Sequence, residues 1–363
     1  MHNTAHVGRS ARLVKRTEIP LFQALGMRLL AILLALITGG LFILVLRQNP
    51  FAVYAGMIKG ALGTRISRIE TVKLAIPLCV CALGLALSFR MRFWNIGAEG
   101  QICVGAIAAS YFALFQDDLP HVVLLFTMAA AAMVAAGLWG MIPAYCKARF
   151  GTNETLFTLM LNYIALFAIQ FLREGPWRDP ANIGFPTIAR FAKNALLPKV
   201  FGIHVGWIVA IFLVLFVWIY LRYTKHGYEL AVVGENMNTA RYAGMNVRRI
   251  ILRTVFVSAA ICGLAGMLKV SGADRTLAES VSGGVGFTAI IVSWLAALNP
   301  FVILIISLLF GVMQKGSGYI QSIFKISTAA ADMLQGIILF FVLGCEFFVQ
   351  FRVIWERGDS LHD

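Results

Sequence analysis

Asn95, Glu99 and Gln101 stand out because they are polar side chains at the start of an otherwise apolar stretch, FWNIGAEGQICVGAIAAS. A carboxylate between two amides could carry a proton, bind the hydroxyl groups of a polar solute, or close a helix break by hydrogen bonding. A charged side chain at the centre of a bilayer costs about 2.5–3.5 kcal/mol on insertion scales, so it normally faces protein or water. For Glu99 the sequence leaves two roles open, a structural hydrogen-bond cluster or the lining of a solute pathway.

Other ionisable residues inside apolar runs are few, and these are the default candidates for function. Arg90 and Arg92 precede Glu99 closely and could pair with it. Asp332 and Glu346 lie near opposite ends of the last apolar run, where anchoring at the membrane interface is the commoner role. Glu99 therefore carries the main hypothesis of a functional carboxylate.

Asn162 lies in the middle of another apolar run, with Thr158 one helical turn earlier. An asparagine there either joins helices by hydrogen bonds, worth about 0.6–2 kcal/mol, or lines a cavity. Aromatic rings such as Trp94, Phe287 and Trp294 offer stacking faces for a flat or ring-shaped solute, although packing explains them equally well. The candidate pathway residues are Trp94, Asn95, Glu99, Gln101, Asn162 and Phe287.

The sequence contains no recognisable catalytic motif. Neither a GxxxxGKS/T phosphate-binding loop nor the HExxH and GxSxG motifs of hydrolases occur in it. The six cysteines form no CxxC pair, and the six histidines lie in tails, loops or the edges of apolar runs. We therefore predict no catalytic residue, no metal site and no cofactor in this chain, and an intramembrane enzyme is disfavoured.

Composition indicates an all-α, polytopic membrane protein. The chain is 60% hydrophobic and 13% charged, with a mean hydropathy of +0.81, whereas soluble domains carry about 25% charged residues. Its long continuous apolar runs are typical of membrane-spanning helices rather than of an alternating barrel pattern. The net charge of +14 lies in loops beside these runs, as membrane orientation requires, so nucleic acid is not an expected partner.

Apolar runs predict about ten transmembrane helices in a single transmembrane domain, 1–363, with both termini in the cytoplasm. A basic tail over 1–26 precedes the first helix, and a short amphipathic piece over 51–62 is expected at the membrane interface. The predicted spans are 29–46, 74–89, 97–115, 121–145, 155–172, 205–221, 250–270, 285–298, 301–314 and 329–350.

Two polar connections are unusually long. The proline-rich loop 173–204 is expected outside the cytoplasm as a lid or docking surface. The cytoplasmic segment 222–249 is amphipathic and compatible with a helix pair that packs against another protein, or with an ordinary solvated loop.

Four stretches resemble the permease subunits of bacterial ATP-binding-cassette importers of the nucleoside and simple-sugar type, within the wider group of ribose and branched-chain amino-acid permeases. They are similar to signature segments of that family, with Trp294 as a departure from its small-residue pattern. The stretches are FWNIGAEGQICVGAIAA (93–109), NETLFTLMLNYIA (153–165), AVVGENMNTARYAGMNVRR (231–249) and GVGFTAIIVSWLAALNP (284–300).

This resemblance implies a transport subunit in the bacterial cytoplasmic (inner) membrane, surrounded by lipid. ATP and Mg would be bound by a partner ABC ATPase, a second homologous permease subunit would complete the pathway, and an extracytoplasmic solute-binding protein would deliver the solute. The resemblance also implies a coupling helix over 231–244 that contacts the ATPase through Gly234, Glu235, Asn236, Arg241 and Gly244.

The alternative is an ion-coupled secondary transporter of a small polar solute. It predicts transport without an ATPase and loss of transport when Glu99 or Asp332 is neutralised.

Overall fold

The computed structural model describes residues 9–15, 21–180, 182 and 184–357, and these residues are predominantly helical. Each of the ten predicted spans coincides with a helix. The helices are α1 (Leu21–Val45), α2 (Pro50–Leu62), α3 (Arg65–Arg90), α4 (Ala98–Phe115), α5 (His121–Phe150), α6 (Glu154–Glu174), α7 (Gly206–Tyr223), α8 (Lys225–Glu235), α9 (Met237–Tyr242), α10 (Val247–Leu268), α11 (Val285–Leu295), α12 (Pro300–Phe324) and α13 (Thr328–Gln350).

Among the described residues, seven helices are long and apolar enough to cross a membrane, or eight if the bent pair formed by α1 and α2 counts as one span. The predicted count of ten is therefore approximate. The count of ten includes α11, which together with its preceding turn forms only a shorter apolar helix of 279–295. The predicted interfacial piece 51–62 is α2, which turns away from α1 by 110°.

The chain divides into two compact units. The first consists of residues 1–60 and 316–363 and contains α1, α13 and a two-stranded antiparallel sheet of β1 (Arg9–Lys15) and β2 (Phe351–Arg357), in which Arg9 pairs with Arg357. Residues 1–8 and 16–20 of the predicted tail, and the side chain of Glu346, lie outside the described part of the chain.

The second unit, 61–315, contains the residues that matter for function. Its centre is built from α3, α4, α5 and α10, and α3 and α10 are the most deeply buried of its membrane helices. Small residues allow these helices to approach closely, as is usual inside membranes. A side chain on Gly105 of α4 would overlap the backbone of Gly263 of α10, so glycine is required at this crossing.

Polar side chains cap the helices at their N-termini. Asn153 caps α6, Thr224 caps α8, Asn236 caps α9 and Asn246 caps α10, each accepting hydrogen bonds from backbone N–H groups of the first turn. Such caps contribute about 0.5–2 kcal/mol. The caps at Thr224, Asn236 and Asn246 set where the segment between α7 and α10 forms two short helices, which confirms the predicted helix pair.

The chain crosses from α10 to α12 through a discontinuous segment. A π-helical turn (Lys269–Asp274) extends α10, a single 3₁₀ turn (Glu279–Val281) follows, and α11 begins only at Val285. With eleven residues, α11 is about 16 Å long, roughly half the thickness of the hydrocarbon core. We refer to α11 as the half-helix.

Candidate functional site

Asn95 and Gln101 form a reciprocal amide pair at the start of α4. The Asn95 Nδ2 donates to Gln101 Oε1 and the Gln101 Nε2 donates to Asn95 Oδ1, both at 3.2 Å. The Asn95 Oδ1 also accepts from the backbone N–H of Gly97 at 3.0 Å. Both side chains are buried, so the pair stabilises the turn that leads into α4.

Asn162 and Thr158 of α6 hold this turn from the other side. The Asn162 Oδ1 accepts from the backbone N–H of Gly100 at 2.8 Å, and its Nδ2 donates to the carbonyl of Ile96 at 2.9 Å. The Thr158 hydroxyl accepts from the N–H of Ile96 at 3.2 Å. Helix α6 thus supplies hydrogen-bond partners for backbone groups that the broken helix leaves free.

Glu99 binds the N-terminus of the half-helix. Its two carboxylate oxygens accept from the backbone N–H groups of Gly284 and Gly286, at 2.8 and 2.7 Å. A carboxylate is favoured there by the helix dipole and by the unpaired N–H groups of the first turn. A side chain on Gly286 would overlap the backbone of Glu99, so the close approach requires glycine.

This arrangement corrects one expectation. Arg90 and Arg92 were possible partners of Glu99, but its hydrogen bonds come from backbone groups 185 and 187 residues away. Arg92 instead lies 3.7 Å from the carboxylate of Glu235, on an exposed surface. Glycines at 283, 284 and 286 just before an apolar run are the signal that could have indicated a free helix N-terminus.

The four buried polar candidates therefore all have hydrogen-bond partners within the protein. Their geometry is that of a brace joining α4, α6 and α11, which we call the polar brace: Asn95, Glu99, Gln101, Thr158 and Asn162. The two aromatic candidates differ, since Trp94 is 48% exposed and Phe287 is 43% exposed. Contact with a solute stays a prediction for all six candidates.

Trp94 also stacks on Trp294, a residue outside the candidate set. The two indole rings are 5.3 Å apart with an interplanar angle of 19°, and Phe89 lies 5.5 Å from the ring of Trp294. An aromatic pair of this kind contributes about 0.5–1.5 kcal/mol beyond its buried area. The Trp294 Nε1 is buried and has no hydrogen-bond partner among the described residues.

Helices α8 and α9 are attached to the connection between α3 and α4. Leu230, Val233 and Ala240 pack in one apolar cluster with Met91 and Phe93 of that connection. We call residues 91–97 the connector. The attachment is tight, because a side chain on Gly234 would overlap the carbonyl oxygen of Arg90.

The opposite face of α8 and α9 is polar and exposed. Glu235 and Arg241 point to solvent, Asn236 caps α9 through its Oδ1, and Gly244 has the left-handed backbone conformation, with φ of 75°, that ends this helix. Also in α8, the carboxylate of Glu229 accepts a hydrogen bond from Arg253, and this bond holds the pKa of Glu229 below its ordinary value.

At the other end of the second unit, the loop 173–204 packs onto the residues that lead to the half-helix. Arg173 pairs with Glu279, the Thr276 hydroxyl donates to the carbonyl of Ile188, and the Ser271 hydroxyl donates to the carbonyl of Ala195. A cavity of about 560 Å³, lined by polar and apolar groups, opens between these elements.

His204 anchors this loop from within. Its ring is 1% exposed, and side chains on Gly206 or Gly272 would collide with it. Burial, with a smaller effect from the charge of Lys73, lowers its pKa to about 4. Sequence reasoning missed this histidine, because its position at the edge of an apolar run gave no sign of burial.

Three relatives resemble the chain over most of its length. The glucose ABC transporter permease protein TsgB13 of Haloferax volcanii is 30% identical over 351 residues, or 93% of this chain and 92% of that protein. The guanosine ABC transporter permease protein NupP of Bacillus subtilis is 30% identical over 86% of this chain and 91% of that protein. The nucleoside ABC transporter permease protein NupB of Lactococcus lactis is 30% identical over 83% of this chain and 88% of that protein.

Residues 67–343 match the protein family described as branched-chain amino acid transport system / permease component. The match covers more than half of the 363 residues and confirms the resemblance drawn from the four signature stretches. The chain belongs to the family of branched-chain amino acid transport system permease components.

Proposed function

We propose that this permease subunit imports a nucleoside or a simple sugar and that α8 and α9 couple it to a cytoplasmic ABC ATPase. The solute class follows from the relatives, which are named as guanosine, nucleoside and glucose permeases. ATP and Mg are bound and ATP is hydrolysed in the partner ATPase. An extracytoplasmic binding protein delivers the solute, and a second homologous permease subunit completes the path.

The observation that carries the coupling proposal is the two-faced character of α8 and α9. Their apolar face is buried in the cluster with Met91 and Phe93, while Glu235 and Arg241 face solvent. A short helix pair that is fixed on one side and polar on the other suits docking into a groove of a partner. Its movement is passed to the connector because Gly234 touches the Arg90 carbonyl directly.

For the solute path, we propose that Trp94 and Phe287 contact the solute while the polar brace positions them. Their rings are the exposed members of the candidate set, and aromatic faces suit the flat base of a nucleoside or the apolar face of a sugar ring. The polar brace supports this division because its hydrogen-bonding capacity is used within the protein.

Uptake into proteoliposomes tests the proposal. The chain is coexpressed and purified with the ATPase and permease of its own gene cluster, and ATP-dependent uptake of labelled guanosine and glucose is measured in the presence of the binding protein. The double variant E235Q/R241Q should lose most of the bound ATPase and most of the uptake. The double variant D118N/K193Q, which removes one exposed acid and one exposed base elsewhere, is the matched control.

Two results would contradict the proposal. Complex formation and ATP-dependent uptake that survive unchanged in E235Q/R241Q would show that α8 and α9 are not the coupling segment. Uptake that needs a proton or sodium gradient and no ATPase would instead establish the secondary transporter.

A further inference from the structure

The half-helix α11 is held at both of its ends by residues 89–101. At its N-terminus, the Glu99 carboxylate binds the backbone N–H groups of Gly284 and Gly286. Near its C-terminus, Trp294 stacks on Trp94. The short stretch from Trp94 to Glu99 therefore holds both ends of α11 from one side, and α3 holds it from another, since the buried Ser293 hydroxyl donates to the Ala82 carbonyl at 2.8 Å.

The residues that directly precede this stretch, 90–93, are attached to α8 and α9. Met91 and Phe93 are 1% and 3% exposed and share a core with Leu230 and Val233. The Arg90 carbonyl lies against Gly234. A displacement of α8 and α9 must therefore displace the connector or open this apolar core.

The two attachments of α11 to residues 94–99 differ in how readily they can release. Opening the Glu99 contact would leave a buried carboxylate and two helix N–H groups without partners, so this contact is expected to persist. Opening the Trp94–Trp294 stack separates two rings, of which Trp94 is already about half exposed. The Trp294 Nε1, buried without a hydrogen-bond partner within the described part of the chain, would become accessible to water when the stack opens.

Building on the proposed function, we propose that the Trp94–Trp294 stack is the joint that opens and closes during transport, while Glu99 remains bound. Movement of α8 and α9 pulls the connector and Trp94 leaves Trp294, while the Glu99 contacts and the Ser293–Ala82 hydrogen bond keep α11 in place. Trp294 acts as a positioning residue for the coupling, and Trp94 has this role in addition to its proposed contact with the solute.

A first experiment measures the solute transported per ATP hydrolysed at saturating solute. W94A should lower this ratio about two- to tenfold, the range expected for loss of one aromatic contact. W94F keeps a ring at the joint and should retain most of the ratio. W218A removes a tryptophan that contacts Tyr223 and Phe301 and not the connector, and it should leave the ratio unchanged.

The ratio separates coupling from solute binding. If W94A raises only the KM for the solute and leaves transport per ATP unchanged at saturation, Trp94 acts on the solute alone and the proposed joint is wrong.

A second experiment tests the opening directly with cysteine cross-linking. The double variant W94C/W294C, in complex with the ATPase, is treated with a short bifunctional thiol reagent in the resting state and with a non-hydrolysable ATP analogue. The cross-linked yield should fall several-fold when the analogue is bound. F216C/Y220C, replacing a stacked pair one helical turn apart on α7, should give equal yields in both states.

Equal cross-linked yields from W94C/W294C in the two states would refute the proposal that the Trp94–Trp294 stack opens during transport. This readout needs the ATPase and nucleotide but no solute. A wild-type complex that imports neither guanosine nor glucose would therefore refute the proposed solute class while the cross-linking result still decided the joint.

Discussion

The polar brace and the exposed face of α8 and α9 are both rich in polar side chains, but they differ in where these side chains form hydrogen bonds. Asn95, Glu99, Gln101 and Asn162 are at most 3% exposed and have partners within the protein. Glu235 and Arg241 face solvent. Buried polar groups that are paired hold helices together, whereas exposed polar groups on an anchored element can meet a partner, even where, like Glu235 beside Arg92, they form an exposed ion pair.

Removing the Glu99 carboxylate should have the largest effect, because the brace depends on it. In E99A, the N–H groups of Gly284 and Gly286 lose their buried acceptor, and the expected loss is about 3–5 kcal/mol in the free energy of unfolding. The yield of monodisperse protein and the thermal unfolding midpoint in detergent measure it. E70Q removes an exposed carboxylate that pairs with Lys73, and it should change the midpoint little.

A normally assembled E99A protein with altered solute affinity would contradict the brace and place Glu99 in the solute path.

Stability should also depend on pH through His204. Its pKa of about 4 in the folded protein lies below the ordinary value of 6.5, so the unfolded chain binds more protons between these pH values. The contribution of His204 to the free energy of unfolding is therefore fully present above pH 6.5. It decreases by about 3 kcal/mol as the pH drops from 6.5 to 4, and it changes no further below pH 4. Unfolding midpoints of wild type and H204F across this range measure the effect.

Phenylalanine keeps a ring between Gly206 and Gly272 without a titrating nitrogen, so H204F should lose this pH dependence. An unchanged dependence in H204F would assign it to other groups.

Gly234 offers a smaller test, directed at the attachment of α8. A methyl group there overlaps the Arg90 carbonyl oxygen, so G234A must shift α8 away from the connector at a cost of about 1–3 kcal/mol. We expect reduced ATP-dependent uptake with the ATPase still bound. G336A, where a side chain meets open space, is the control, and equal uptake by both variants would show that the contact is unimportant.

The ten apolar runs could be located from the sequence because each span must present apolar side chains to lipid over its length. The hydrogen-bond partners of Glu99 could not be located from the sequence, because they are backbone N–H groups, which every residue except proline has. Sequence reasoning looked for a charged side chain and chose the arginines nearby. The helix pair α8 and α9 was predictable from its amphipathic pattern, but the core it shares with Met91 and Phe93 joins residues about 140 positions apart.

The smallest effect should come from the ion pair that joins the connector to α8. Arg92 and Glu235 are 3.7 Å apart with side chains 65% and 84% exposed, and exposed pairs contribute only about 0–1 kcal/mol. R92Q should therefore keep the unfolding midpoint and the transport per ATP close to wild type. M91A, which empties part of the buried cluster one residue away, should cost about 2–5 kcal/mol. Since R92Q and M91A alter neighbouring residues of one connector, a larger effect of R92Q would mean that charge rather than apolar packing attaches α8 to it.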